Sequence, residues 1–281
     1  MQQESESGLA MFCERRMYAA SRATFYSFLS GAFGDRPSSR LVRLIRDGTM
    51  VSFAEAYPCS RKYAKHLRRI ANCIDAHVLQ EPLAIEHTRL FVGPGEGYLP
   101  PYESVQARTR VPFPGAGYET VGADVSVSPG WGAGNWPSRT YPEPAGYATY
   151  AQTAPSLWGD AALDAQRCYA EAGFETSAAV EALPDHISTE LDFMRLLCLA
   201  EAQAWQDATS SAASHALHRQ RTFLNHHLLA WVPGYCCLVE GQARHPFFAA
   251  LAALTSGFLY EEADLLNQLH GESLATTGGN A

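Results

Sequence analysis

The sequence predicts an all-α fold: a single helical bundle interrupted by a long irregular insertion rich in Gly, Pro and aromatic residues. Three observations predict it. Apolar residues recur at helical spacing through the first third and the last part of the chain. Alternation of the kind a half-buried strand needs marks no segment. Residues 93–160 hold 11 Gly and 10 Pro in 68 positions, too many for helices. The 281 residues are expected to form one domain, with N-terminal helices in 9–92 and an irregular hinge and insertion in 93–160. C-terminal helices follow in 161–270, and 271–281 are expected to be a flexible tail.

In chain order, Phe25, Phe28, Leu29 and Ala32 follow i, i+3, i+4, i+7, and Gly34 and Pro37 close that run. Ser38 and Ser39 offer a cap for a short helix carrying Leu41, Leu44 and Ile45, stopped near Gly48. Tyr63, His66, Leu67, Ile70, Ile74, His77 and Val78 read as one long amphipathic stripe, which places His66 and His77 in the core. Leu83, His87, Leu90 and Phe91 add further turns before Gly93-Pro94-Gly95. Beyond the insertion, Leu163, Cys168 and Tyr169 precede a Gly173 stop. A helix begins after Pro184 with Asp185 as a natural N-cap, and its inner face is Ile187, Leu191, Met194, Leu197 and Trp205. Leu217, Leu224, Leu228 and Trp231 mark a helix ended by Pro233–Gly234. Phe247, Leu251, Leu254 and Phe258 mark another, and a short acidic helix with Leu265, Leu266 and Leu269 is expected after it.

Charge excludes one class of function. The chain carries 21 basic and 29 acidic groups, a net charge of −8, the wrong sign for bulk electrostatic binding of nucleic acid. Residues 1–80 hold 12 basic against 7 acidic groups; residues 81–281 hold 9 against 22, net −13. Such an acidic half attracts a basic peptide or serves only as a solvated surface. Seven Cys without a CxxC pair give no disulfide framework, and the polar first residues lack a signal-peptide pattern. The longest apolar stretch, Phe247 to Tyr260, falls short of the ~20 residues of a membrane span. A cytoplasmic chain with no membrane span is expected.

The sequence is poor in catalytic motifs. It holds no GxSxG, and Gly93–Gly97 and Gly130–Gly134 lack the Lys and the strand–turn–helix setting of a phosphate loop. His186 and Glu190 stand at i, i+4, and His226–His227 lie near Cys236–Cys237. Neighbouring helical residues point ~100° apart, so His226 and His227 do not share an ion easily. No ligand set has workable spacing, and neither metal nor cofactor is expected. Two alternatives stay open beside a binding protein. One is a metal-dependent helical enzyme built on His186, Glu190 and the 226–237 region. The other is a helical adaptor using the aromatics of the insertion, Trp131, Trp136 and Trp158 with Tyr141, Tyr147 and Tyr150.

Three pieces then carry a resemblance. They are Glu86-His-Thr-Arg-Leu-Phe-Val-Gly-Pro-Gly95 with Leu99-Pro-Pro-Tyr-Glu-Ser-Val105, Leu183-Pro-Asp-His-Ile-Ser-Thr-Glu-Leu-Asp-Phe-Met194, and Phe223-Leu-Asn-His-His-Leu-Leu-Ala-Trp-Val-Pro233. Together they resemble the TorD/DmsD/NarJ family of molybdoenzyme maturation chaperones. The resemblance implies an all-helical, non-catalytic cytoplasmic protein, a monomer or weak dimer. Its implied partners are the apo catalytic subunit of a dimethyl-sulfoxide-reductase-superfamily molybdoenzyme and its twin-arginine signal peptide, held until the cofactor is inserted. Carried over by motif, the client-binding residues are Pro101, Tyr102, Glu103, Ser104, Asp185, His186 and Glu190. The chemistry suits such a peptide, because carboxylates accept bidentate hydrogen bonds from guanidinium. Asp185 is an N-cap, an Arg acceptor, or both. His87 departs from the family, which has an aromatic Tyr there, and so does the insertion after Val105.

Overall fold

The computed structural model is all-α, with no strand among the described residues. It describes residues 2–56, 61–73, 76–106, 159–174 and 183–278, with side chains over 10–56, 61–72, 79–106, 159–174 and 183–269. The helices are α1 (Gln2–Gly34), α2 (Ser39–Arg46), α3 (Thr49–Ala56), α4 (Ala64–Cys73) after a 3-10 turn, α5 (Ala76–Phe91) and the short α6 (Glu103–Gln106). Then come α7 (Asp160–Glu171), α8 (Ile187–Gln206), α9 (Ser210–Phe223), a π segment (Leu224–Leu228), α10 (Leu229–Gln242) and α11 (Pro246–Gly278). The insertion at 113–158 and its aromatics lie outside the described residues.

The long helices α1 and α8 run antiparallel. Ser30 Oγ donates to the Ser188 carbonyl at 2.8 Å near one end, and the Phe12 ring lies tilted against Trp205, centroids 5.7 Å apart, near the other. Gly34 is required for the approach: a Cβ there would lie 2.8 Å from Ser188 Cβ and Oγ. Helix α8 also packs on α9, α10 on α11, and α9 on α11. Tyr26, Leu29 and Phe33 of α1 meet Leu191 and Met194 of α8, Val232 and Tyr235 of α10, and Phe247 and Leu251 of α11 in one buried cluster. Ser38 caps α2 as expected, its side chain accepting the Leu41 N–H.

One polar knot crosses this core. Arg22 of α1 donates through Nε to both oxygens of Glu262 on α11 at 2.9 and 3.0 Å, and through a terminal nitrogen to Glu201 of α8 at 2.9 Å. Its other terminal nitrogen meets Gln220 of α9 at 2.6 Å. Gln220 in turn donates to Glu201 at 2.9 Å, and Trp205 Nε1 donates to the remaining Glu201 oxygen at 3.2 Å. All of these side chains are buried, so four helices are tied through one guanidinium.

Several sequence expectations are corrected. The stripe from Tyr63 to Val78 is divided between α4 and α5, and α5 runs through Pro82 to Phe91. His66 is exposed, because α4 turns Ala64 and Leu67 inward and a neighbouring residue lies ~100° round the helix. The His77 side chain lies outside the described residues. Leu163 is exposed; α7 buries Ala162, Ala165 and Tyr169 instead.

Pro233 does not end a helix. The Leu229 N–H bonds to the Leu224 carbonyl five residues back, and the chain continues as α10 with Pro233 and Gly234 inside it. Burial of Val232, Pro233 and Tyr235 outweighs the ~3 kcal/mol that a helix-interior proline costs. The two expected final helices are one. Gly257 costs a helix only ~1 kcal/mol, and the buried stripe continues through Leu259, Ala263 and Leu266. Helix α11 therefore passes residue 270 into the expected tail, and α1 starts before residue 9.

Candidate functional site

After α5 the chain returns as an extended strap, residues 97–102, across the N-terminal end of α8. Glu86 and Arg89 fix its start. Arg89 forks onto the Glu86 carboxylate with two bonds of 2.7 Å and reaches the Gln242 carbonyl, also at 2.7 Å. Glu86 Oε1 accepts the N–H groups of Arg244 and His245 just before α11. Gly97, at φ +85°, lets the strap pass Arg89, whose guanidinium occupies the space a side chain would need. The strap is then pinned by backbone groups. The Leu99 N–H bonds to Leu90 O at 2.8 Å, Tyr235 Oη donates to Leu99 O at 3.0 Å, and the Ile187 N–H bonds to Pro101 O at 2.9 Å. Tyr102 and His186 pair as an antiparallel bridge, their rings edge to face at 5.1 Å.

Asp185 corrects the sequence reading. It does not cap its own helix; His186 does, its Nδ1 accepting the Ser188 N–H at 3.1 Å. Asp185 instead caps α6 from across the fold. Its carbonyl accepts the Glu103 N–H at 2.9 Å and its carboxylate the Ser104 N–H at 2.9 Å. A four-residue helix cannot satisfy its own N-terminal donors, so it borrows an acceptor from residue 185.

Under the strap lies a second polar cluster. Glu103 Oε2 meets His227 Nδ1 at 2.8 Å, and Trp231 Nε1 donates to Glu190 Oε2 at 3.0 Å. Ligand atoms of Glu103, Glu190 and His227 all lie within 4.8 Å of one another, and all three residues are buried. The far nitrogen of His227 faces Asp164 at 3.5 Å and the Cys168 thiol at 3.8 Å. Burial alone would lower the His227 pKa. Its hydrogen bonds to Cys168 and Glu103, with the negative charge of Glu190 and Glu103, overcome that and raise it to about 10. Glu190 is driven the same way: burial, then the Glu103 carboxylate, holds its pKa well above the usual range. Four buried oxygens where the strap meets the 185–190 segment have no hydrogen-bond partner among the described residues. They are Ser104 Oγ, Asp185 Oδ1, Thr189 Oγ1 and Glu190 Oε1.

The seven residues named from the sequence thus converge on one junction, in different roles from those their types suggested. Glu103, Asp185 and Glu190 are buried and engaged; Tyr102, Ser104 and His186 are half-buried and form the outer rim. His186 and Glu190 do not face a common ion, since His186 Nδ1 takes the Ser188 N–H and hydroxyl while Glu190 turns to Trp231. The sequence names His227 only as a possible metal ligand beside His226 and Trp231 only as part of an apolar stripe; their i, i+4 spacing along the π segment and α10 is the one signal that pairs them. His226, as the spacing argument required, points away to solvent.

Burial, reinforced by the charge of His87, holds the His186 pKa at about 4. A histidine whose folded pKa is depressed contributes stability that is present above its unfolded value of about 6.5 and lost as pH falls through the folded value. Burial depresses His87 and His245 in the same direction. The contribution of these three histidines is therefore expected to fall between about pH 6.5 and 4, against the opposite contribution of Glu190, whose raised pKa favours the fold as pH falls. His186→Asn, which keeps an N-cap and removes the titration, is expected to flatten that slope in urea unfolding at stepped pH. An unchanged slope would assign the loss elsewhere.

The match to a known family covers this junction. The family model described as nitrate reductase delta subunit matches residues 58–113 and 145–236, which include the strap, the 183–194 segment and His227–Trp231. The chain belongs to that family, the TorD/NarJ family. It is 32% identical over 97 residues to the perchlorate reductase assembly chaperone protein of Dechloromonas aromatica, covering 34% of this chain and 42% of that one. It is 29% identical over 89 residues to the chaperone protein TorD of Vibrio cholerae, covering 32% and 39%. The chain thus spans about two fifths of the length of these curated relatives. No solved structure matches it. Among the described residues no helix is long and apolar enough to cross a membrane.

Proposed function

We propose that this protein is a cytoplasmic assembly chaperone that binds the apo catalytic subunit of a molybdopterin oxidoreductase, through its twin-arginine signal peptide or its body, and releases it once the cofactor is inserted. The observation that carries the reading is the coincidence of the family match with one built junction. The strap, the start of α8 and the π segment all lie inside the matched residues, and they meet in three dimensions. The names of the two relatives support the same role. The reading involves no catalytic step by this chain, which acts as a monomer or weak dimer.

In this account the rim meets the client and the buried carboxylates hold the rim. Tyr102 and His186 offer an aromatic edge to the apolar part of a leader peptide, and the acidic half, net −13 over residues 81–281, steers its two arginines there. Client-derived twin-arginine peptide titrated calorimetrically into three proteins tests this division. Tyr102→Ala is expected to weaken binding about tenfold or more, with little change in the unfolding midpoint. Asp185→Ala leaves the Ser104 N–H without its acceptor and is expected to cost about 1–3 kcal/mol of stability. Equal affinity of wild type and Tyr102→Ala would move the client to another surface, such as the 113–158 insertion.

A further inference from the structure

We propose that Glu103, Glu190 and His227 form a binding site for one divalent first-row cation, of which zinc is the probe, and that the ion fastens α6, at the end of the strap, to α8 and the π segment. This goes beyond the chaperone reading and does not depend on it. The sequence places Glu190 and the 226–237 region in a metal alternative with His186, but no spacing there joins Glu103 to them, since the three donors come from distant parts of the chain and share no motif. The fold brings their ligand atoms within 4.8 Å of one another.

The donor set has the composition of a cation site. Two carboxylate oxygens neutralise a divalent charge, and one imidazole nitrogen favours zinc, manganese or iron(II) over calcium or copper(I). A tetrahedral zinc with bonds of about 2.0–2.2 Å holds its ligands about 3.4 Å apart, so small side-chain movements suffice. Glu190 Oε1 provides the independent sign: it is fully buried, belongs to this cluster and has no hydrogen-bond partner among the described residues. An oxygen withdrawn from water and left unpaired calls for a partner, and a cation beside it would supply one.

The outer contacts are also those of a metal centre. With Nδ1 on the ion, His227 keeps its Nε2–H toward the Asp164 carboxylate at 3.5 Å, the usual second partner of a ligating imidazole. Trp231 Nε1 orients Glu190 through its other oxygen at 3.0 Å. The protein's own atoms therefore fix two of the three ligands from behind.

The test uses full-length protein stripped with a chelator, then titrated with zinc against a chromogenic competitor. One saturable equivalent is expected, with a rise of several degrees in melting temperature. Glu190→Gln and Glu103→Gln keep size and hydrogen-bonding capacity, and each is expected to weaken zinc about tenfold or more and to abolish the melting shift. His66→Ala, on the exposed face of α4, is expected to change nothing. Wild type that takes up no saturable zinc would overturn the proposal. So would variants, folded by circular dichroism, that bind it as wild type does.

Discussion

Arg22→Ala is expected to lower the free energy of unfolding by about 3–5 kcal/mol, read as a large fall in the urea midpoint. The magnitude follows from what is left behind rather than from what is lost. Glu201 and Glu262 come from α8 and α11, both buried, and the guanidinium is the cation placed between them. Removing it strands two carboxylates in a water-poor core and leaves the Gln220 side chain without its 2.6 Å donor. Arg68→Ala provides the contrast: its pair with Glu55 is solvent-exposed and is expected to be worth no more than about 1 kcal/mol. If both substitutions cost the same, the knot contributes no more than a surface ion pair.

His227→Ala, measured in chelator, is expected to cost a similar ~3–5 kcal/mol. The imidazole bonds Glu103 on one side and faces Asp164 and Cys168 of α7 on the other. Without it the buried carboxyl groups of Glu103 and Glu190 lose the cation that lies within 4.8 Å of both. Its chain neighbour supplies the control, since His226 lies on the exposed side of the same segment and His226→Ala is expected to leave the midpoint unchanged. The loss should also be local. Hydrogen exchange of the Leu99 amide in the strap and of the Glu103 and Ser104 amides at the start of α6 is expected to rise more than that of α11, because those amides bond to groups this junction holds in place. Uniform loss of protection would show that His227 stabilises the core and not the strap.

The helices that legibly announce themselves are those whose signals are local. Ser38 caps α2 and Ile187, Leu191, Met194 and Leu197 line the inner face of α8, because a cap and a stripe are properties of a few consecutive residues. What local spacing misreads is decided by distant contacts. Pro233 carries the usual stop signal, yet burial against the core keeps α10 going through it. Asp185 carries the usual N-cap signal, yet its acceptor serves an amide 81 residues away. His227 is bonded to a carboxylate 124 residues away, and nothing in the order of residues between them records that pairing. The motif resemblance therefore located the junction, while the exchange of roles within it, buried carboxylates holding an aromatic rim, belongs to the three-dimensional arrangement alone.

The central claim is that this junction serves an assembly chaperone, and co-purification with its client tests it most directly. The chain is co-expressed with the catalytic subunit of the molybdopterin oxidoreductase encoded nearest to it, once in cells that make the cofactor and once in cells that cannot. A stable complex is expected with the cofactor-free subunit, weakened by Tyr102→Ala and lost when the subunit is loaded. Equal capture of loaded and unloaded subunit, or capture of neither, would contradict the account.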